Sequence, residues 1–295
     1  MNKFSISQLQ EFSGIKSHTI RIWEQRYNAL TPMRSAGNTR YYDGDQLRRL
    51  LNIVSLMDGN FKVSELCLMP DEKLFDLIKT KLFSRSDGST EFYVSQLISA
   101  GMRYDTANFE KILSACISAL GIPDTYTRVI YPLLDRVGLM WASDIIPLTQ
   151  EHFISNMIRQ KLFSEIDKLP QIQTSNDTWI LCLPENEFHD IGLLFSYFLI
   201  RKAGKKVIYL GGSVPLHTLT ISIGEINPTS LLLFFVHAHD AEECEKYCNT
   251  LAKNCKDLKI YIAGNTKVTG NIKKGKSVNL VQTVTDLENI LSTVP

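Results

Sequence analysis

No uninterrupted apolar run in this chain approaches the roughly 20 residues that a membrane-crossing helix needs, so no span is expected. No cleavable leader is expected either, because Met1 to Lys16 reads as polar and amphipathic without an apolar centre. Cysteine is sparse: six residues, at 67, 116, 182, 244, 248 and 255, scatter through apparent core helices and strands. That usage argues against a disulfide framework and for reduced thiols in a cytoplasmic protein. Cys244 and Cys248 lie four apart in an expected helix, which leaves a metal-binding pair open. Charge of one sign is absent as well, with 32 basic and 31 acidic residues for a net of +1.

The balance hides an asymmetry. Residues 1–50 hold eight Lys or Arg against four acids, whereas the remainder is slightly acidic. A basic end on a near-neutral chain suggests a polyanion-binding module attached to something else. At 295 residues there is room for two or three domains.

Three segments follow from periodicity. In residues 1–82, Ser5 caps a helix carrying Ile6, Leu9 and Phe12, with Gln8 at the capping-box position and Gly14 as the stop. Ser17 is expected to cap a second helix, His18 to Tyr27, with Ile20 and Trp23 inward. Two short helices joined by a tight turn make a helix-turn-helix unit. Arg34 to Tyr42, with Gly37-Asn38 at its turn, suits a hairpin wing, and Asp43 caps a third helix through Met57, stopped by Gly59. Residues 83–90 read as a linker. Residues 91–169 read as four amphipathic helices, broken near 103–106, 121–124 and 141–147, which short loops fold into an antiparallel bundle. After a second linker, 170–178, the domain at 178–295 alternates strands near 179–183, 206–210, 230–236, 258–263 and 278–281 with helices. Near-continuous apolar strands between helices indicate a doubly wound parallel sheet, Rossmann-like in build. The expected fold class is therefore multidomain α and α/β.

One motif carries metal chemistry. Glu187-Phe188-His189-Asp190-Ile191-Gly192 follows the first strand of that sheet. An imidazole can bind a metal through one nitrogen while the carboxylate two residues earlier takes the N–H of the other, fixing the tautomer. Gly192 opens the next helix and leaves room for a bulky group near the backbone. His189 falls just past a strand's carboxyl end, where ligands of such sheets sit. A surface His in an ordinary doubly wound domain is the alternative.

The first segment resembles the MerR family of winged-helix regulators. The matching residues are Ile6, Gly14, Ile15, Thr19 to Glu24, Arg26-Tyr27, Pro32 and Gly37 to Tyr42. That resemblance implies DNA contacts by His18, Thr19, Arg21 and Tyr27 from the recognition helix, and phosphate contacts by Arg40 and Tyr42 from the wing. Arg side chains position on phosphates or read guanine edges, in keeping with it. Trp23 shares the Ile20 face and belongs in the core.

The His189 motif resembles the cobalamin-binding domain of methionine synthase and the adenosylcobalamin mutases. There the His replaces the cofactor's own benzimidazole as lower cobalt ligand, and the nucleotide tail enters the sheet domain. Trp141, followed after nine residues by Glu151-His152, resembles the signature of light-responsive, adenosylcobalamin-dependent MerR-type repressors of carotenoid synthesis. In that family a helical bundle caps the corrin's upper face, the Trp lies near the adenosyl group, and the Glu and His line its pocket. An indole can wall off a nucleoside and a carboxylate can accept its donors. A core Trp and a charge pair at a helix start are the competing readings of those residues.

The resemblance implies adenosylcobalamin as cofactor, held by Trp141, Glu151, His152, Glu187, His189, Gly192, Gly211, Ser213 and Gly264, with His189 on cobalt. It implies a DNA operator as partner and a homo-oligomer, dimer or tetramer, whose assembly depends on cofactor and light. Departures exist: Ala142 stands where light-sensing members carry a second His, and Val236-His237-Ala238-His239 replaces a usual Ser at the third strand's end. The usual paired glycines are Ala263-Gly264. A regulator whose altered pocket senses another ligand or a protein partner is the alternative. A corrinoid carrier or methyltransferase subunit is a more distant one. A mutase would need a barrel of about 250 residues, and the chain after the first linker is too short for it.

Overall fold

The computed structural model of the chain describes residues 3–34, 38–57, 61–83, 90–142, 146–171, 177–236, 241–255, 258–264, 269 and 278–293. Gly37, Gly59, His237 to His239 and most of both expected linkers lie outside the described residues. Two compact units divide the chain, Met1–Ile158 and Arg159–Pro295.

In the first unit, α1 (Ile6–Ser13) starts on the expected capping box: Ser5 Oγ accepts the Gln8 N–H, and Gln8 Oε1 accepts the Ser5 N–H at 2.6 Å. Gly14 ends it with a left-handed φ of 71°. Helix α2 spans Ser17–Tyr27, but Ser17 is not its cap. Ser17 is already helical, and its N–H and hydroxyl both go to Gln10 Oε1 across the turn, locking the two helices together. The wing is a minimal antiparallel pair, β1 (Met33–Arg34) with β2 (Arg40–Tyr41). Its base is pinned to the chain start by reciprocal bonds between Phe4 and Tyr42. Asp43 caps α3 (Gly44–Leu56), accepting the N–H groups of Asp45 and Gln46.

Nearly every residue of α3 from Leu50 onward is buried. The cause is packing on two sides, against the helix-turn-helix and against α6 (Thr90–Gly101). Gln96 on α6 donates to Asn52 Oδ1 and Ser55 Oγ on α3, at 3.1 and 3.0 Å. The winged helix and the helices after the linker therefore share one compact unit. Between them, α4 (Val63–Leu68) and α5 (Asp71–Phe83) complete the N-terminal layer, and Arg49 staples it by donating to the carbonyls of Ala29, Cys67 and Met69.

The bundle continues with α7 (Thr106–Thr125), a π-helical turn (Tyr126–Ile130), α8 (Tyr131–Ala142) and α9 (Leu148–Asp167), which crosses the unit boundary. The expected break at 121–124 is a kink: Gly121 takes φ 75°, ψ 168°, and Pro123 follows. A proline lacks the N–H to carry a helix through such a point.

The second unit is a five-stranded sheet in the order β4-β3-β5-β6-β7, parallel throughout. Its strands are β3 (Thr178–Pro184), β4 (Lys206–Val214), β5 (Ser230–Phe235), β6 (Lys259–Gly264) and β7 (Val278–Leu280). Helix α10 (Ile191–Lys202) packs with α13 (Val284–Thr293), and α11 (Leu216–Ile226) with α12 (Ala241–Asn254), as a sheet covered on both faces requires. From β3 the chain first moves to one side, to β4, and then crosses to the other, to β5. The topological switch point lies between β3 and β5, at their carboxyl ends.

Candidate functional site

Helix α2 presents what a recognition helix needs. Ile20 and Trp23 are buried, His18 and Arg21 are exposed, and Thr19 and Tyr27 are partly exposed. Glu24 sits on the inner flank and accepts from Arg40 Nε at 3.0 Å and from the Tyr42 hydroxyl at 2.8 Å. This carboxylate ties the wing to the helix. The structure corrects the expected role of Tyr42: its side chain is 0 % exposed and its hydroxyl is committed to Glu24, so it cannot reach a phosphate. Burial, then the Glu24 bond and charge, push its phenol well above the ordinary range. Arg40, partly exposed, is the wing residue of the pair that can still meet a polyanion.

In the bundle, Trp141 is 43 % exposed on α8, so it is not the core residue that helical spacing alone allows. Glu151 and His152 lie in the first turns of α9 and bond to each other, Glu151 Oε2 to His152 Nδ1 at 2.8 Å. The carboxylate is partly buried and the imidazole exposed.

The His189 loop is the most tightly built part of the second unit. Glu187 is 0 % exposed. Its Oε1 accepts the backbone N–H groups of Phe188 and His189, at 2.9 and 3.0 Å, and meets His189 Nδ1 at 2.6 Å. Its Oε2 accepts the Val236 N–H at the end of β5, 3.1 Å away. One buried carboxylate thus fastens the loop to both strands of the switch point. Nδ1 faces the Glu187 carboxylate, and the side chain is 53 % exposed.

Ser213 braces this loop from the next strand. Gly211 sits at a register shift in β4, and Ser213 donates its N–H to the Glu187 carbonyl while its Oγ accepts the Asn186 N–H. Gly192 needs its missing side chain for packing: a Cβ there would lie 2.7 Å from the Phe234 ring. On that side the ring packs directly against the Gly192 backbone. Gly264 is similarly constrained, with φ 121° and a hypothetical Cβ 2.2 Å from the Phe235 carbonyl oxygen. It holds the ends of β5 and β6 together.

Sequence reasoning overlooked Asp190. Its carboxylate pairs with Arg159, Nε to Oδ1 at 2.9 Å and Nη2 to Oδ1 at 2.8 Å, and Tyr209 approaches at 3.4 Å. Asp at a helix start signals a cap, yet Asp190 makes no capping bond and spends its charge on Arg159. Phe188, 65 % exposed beside the imidazole, was overlooked too. Cys244 and Cys248 are buried in the apolar cluster under the sheet.

The donor set fits a metal that arrives in a macrocycle. Among the described residues no three His, Cys, Asp or Glu side chains converge as a metal cage. His189 would offer one imidazole donor with a buried carboxylate behind it, which suits a metal whose other ligands come from the bound group itself.

Comparison with known proteins agrees with this architecture. Residues 4–68 match the family described as MerR HTH family regulatory protein, and residues 93–163 the family described as B12 binding domain. The chain is 27% identical over 268 residues to the HTH-type transcriptional repressor CarH of Myxococcus xanthus, with 88% of each chain covered. It is 23% identical over 261 residues to the HTH-type transcriptional repressor CarA of Myxococcus xanthus, covering 88% of this chain and 85% of that one. A Methanosarcina barkeri monomethylamine corrinoid protein is similar in fold, with a TM-score of 0.56 at 14% identity, covering 67% of this chain and 96% of that chain. With a winged helix first, a helical segment matching the B12 binding domain next and a parallel sheet last, the chain is similar over most of its length to these two transcriptional repressors.

Proposed function

We propose that this DNA-binding regulator senses adenosylcobalamin, with His189 Nε2 as the lower cobalt ligand. The observation carrying the reading is the buried Glu187 carboxylate on His189 Nδ1, at the switch point of a parallel sheet. Both repressor relatives are regulators rather than enzymes, and the same class is assigned to this chain.

Each protein group has a definable task. Glu187 fixes the tautomer of His189 and raises the basicity of the ligating nitrogen. Ser213 and Val236 keep that carboxylate in place through the loop backbone and its own Oε2. In the first unit, Trp141, Glu151 and His152 would meet the adenosyl group, the indole excluding water and the carboxylate accepting nucleoside donors. Bound adenosylcobalamin would supply a light-labile cobalt–carbon bond. A cofactor with higher affinity for an assembled state shifts the population toward it. Several DNA-binding arms on one assembly raise operator affinity through effective concentration, without new base contacts. His18, Thr19, Arg21 and Tyr27 would face the groove, with Arg40 on the backbone.

Titration of the purified chain with adenosylcobalamin, followed by visible absorbance, tests the reading. The unmodified chain should show the spectrum of an imidazole-ligated corrinoid, and His189→Ala should not. Identical spectra for the two would remove the sensor. Gel shifts on the chain's own promoter region, in darkness and after green light, then test the coupling to DNA and to light.

A further inference from the structure

Helix α12 brings one tyrosine to the carboxyl end of the central strands. The Tyr247 ring meets Phe235, the last residue of β5, edge to face at 6.2 Å and 86°. It packs against the apolar cluster that includes Cys182 of β3 and Leu233 of β5. These two strands flank the switch point, where Glu187 of the His189 loop bonds to Val236 just beyond Phe235. The Tyr247 hydroxyl is sealed from solvent and has no hydrogen-bond partner among the described residues.

Buried hydroxyls are nearly always paired, so an orphan of this kind calls for an explanation. Trp179 Nε1 is the other such atom, but it lies near the amino end of β3, stacked on Tyr261 at 5.0 Å and away from the ligand edge. Tyr247 alone of the two sits where an open parallel sheet receives ligand. Burial, with Cys182, Cys248 and Glu185 nearby, raises the phenol above its ordinary range, so it stays protonated and able to donate.

The inference rests on the corrinoid reading above. If His189 takes the lower cobalt position, the ligand's own nucleotide base is displaced and must be housed near that imidazole. A displaced nucleotide carries a phosphate, ribose oxygens and an imine nitrogen, all acceptors. We infer that the Tyr247 hydroxyl donates a hydrogen bond to the nucleotide tail of the bound corrinoid, making this chain discriminate tail-bearing from tailless ligands.

The test compares the full chain with Tyr247→Phe, each titrated with adenosylcobalamin and with adenosylcobinamide, which lacks the nucleotide. Loss of one neutral hydrogen bond should weaken adenosylcobalamin binding about fivefold in the variant and leave adenosylcobinamide unchanged. The imidazole-ligated spectrum should persist at saturation, because His189 is untouched. The thermal midpoint without ligand should not fall, since the ring and its packing remain. Equal weakening of both ligands, or of neither, would overturn the tail contact while leaving the corrinoid reading intact. Failure of the unmodified chain to bind either ligand would overturn both.

Discussion

Replacing Glu187 by Gln tests the site at its most constrained atom. The carboxylate receives three donors on Oε1 and one on Oε2, inside a shell with 0 % exposure. Gln keeps the size but turns one acceptor oxygen into a donor. The amide oxygen will stay on the three-donor side, which aims the new NH2 at the Val236 N–H, donor against donor. Leaving that N–H unsatisfied costs about 1–3 kcal/mol, and weakening the charge-assisted bonds on the other oxygen adds about 1 kcal/mol. Burying a neutral amide instead of a charge offsets part of this. The expected net is a loss of roughly 2 kcal/mol, read as a lower urea midpoint with an unchanged slope.

Ligand affinity should fall by a comparable free energy. A carboxylate behind a ligating His is worth about 10–100-fold in metal affinity, because it fixes the tautomer and feeds basicity to the other nitrogen. Glu187→Asp makes a useful companion: its shorter arm keeps the charge but cannot span from His189 Nδ1 to the Val236 N–H. It should recover part of the spectrum and little of the stability. If Glu187→Gln matches the unmodified chain in both urea midpoint and corrinoid titration, the reasoning from the four bonds is wrong.

Other outcomes follow from the same structure. Arg21→Ala, on the exposed face of α2, should weaken operator binding and lower the slope of log K against log salt by about 1 in gel shifts at several salt concentrations. Gly192→Ala should destabilise the second unit by about 1–3 kcal/mol in a denaturant titration, since its methyl would press on the Phe234 ring. Burial pushes the Cys116 thiol up to about 11 and the Cys182 thiol up to about 12, so both should resist a thiol reagent at pH 8 until the chain unfolds. Because these folded pKa values are raised, their stabilising share is complete below the ordinary thiol pKa and declines as pH climbs from about 9 toward 12. Urea midpoints at pH 8 and pH 10.5 should show that decline.

The elements legible in the sequence were those set by local chemistry. Ser5 with Gln8, Gly14, Asp43 and the kink at Gly121-Ile122-Pro123 each announce a boundary by bonds or dihedrals made within a few residues. The parallel strands were visible because burial on both faces leaves unbroken apolar runs such as Ser230 to Phe235. What stayed hidden depends on partners far along the chain. Ser17 reads as a cap until Gln10 claims its N–H, and Tyr42 reads as a surface hydroxyl until Glu24 draws it inward. Gly192 carries no mark in sequence of the Phe234 ring that packs against it.

Asp190 shows how the remaining part of the site could escape a reading by motif. It stands between His189 and the helix, where a carboxylate ordinarily caps the first turn, yet its charge goes to Arg159, 31 residues earlier. Tyr209, stacked on Tyr197 at 5.4 Å and edge-on to Phe163 at 6.0 Å, closes the other side of that carboxylate. The residues two before and one after His189 are therefore both anchored by their acids, Glu187 into the sheet and Asp190 to α9. The imidazole between them projects into the open. An arrangement that anchors the loop through an acid on each side of the imidazole lowers the ordering cost of ligation, because the loop backbone has little freedom left to lose. Preorganisation of this kind is what a single protein ligand requires if one coordination bond is to hold a large cofactor in one orientation.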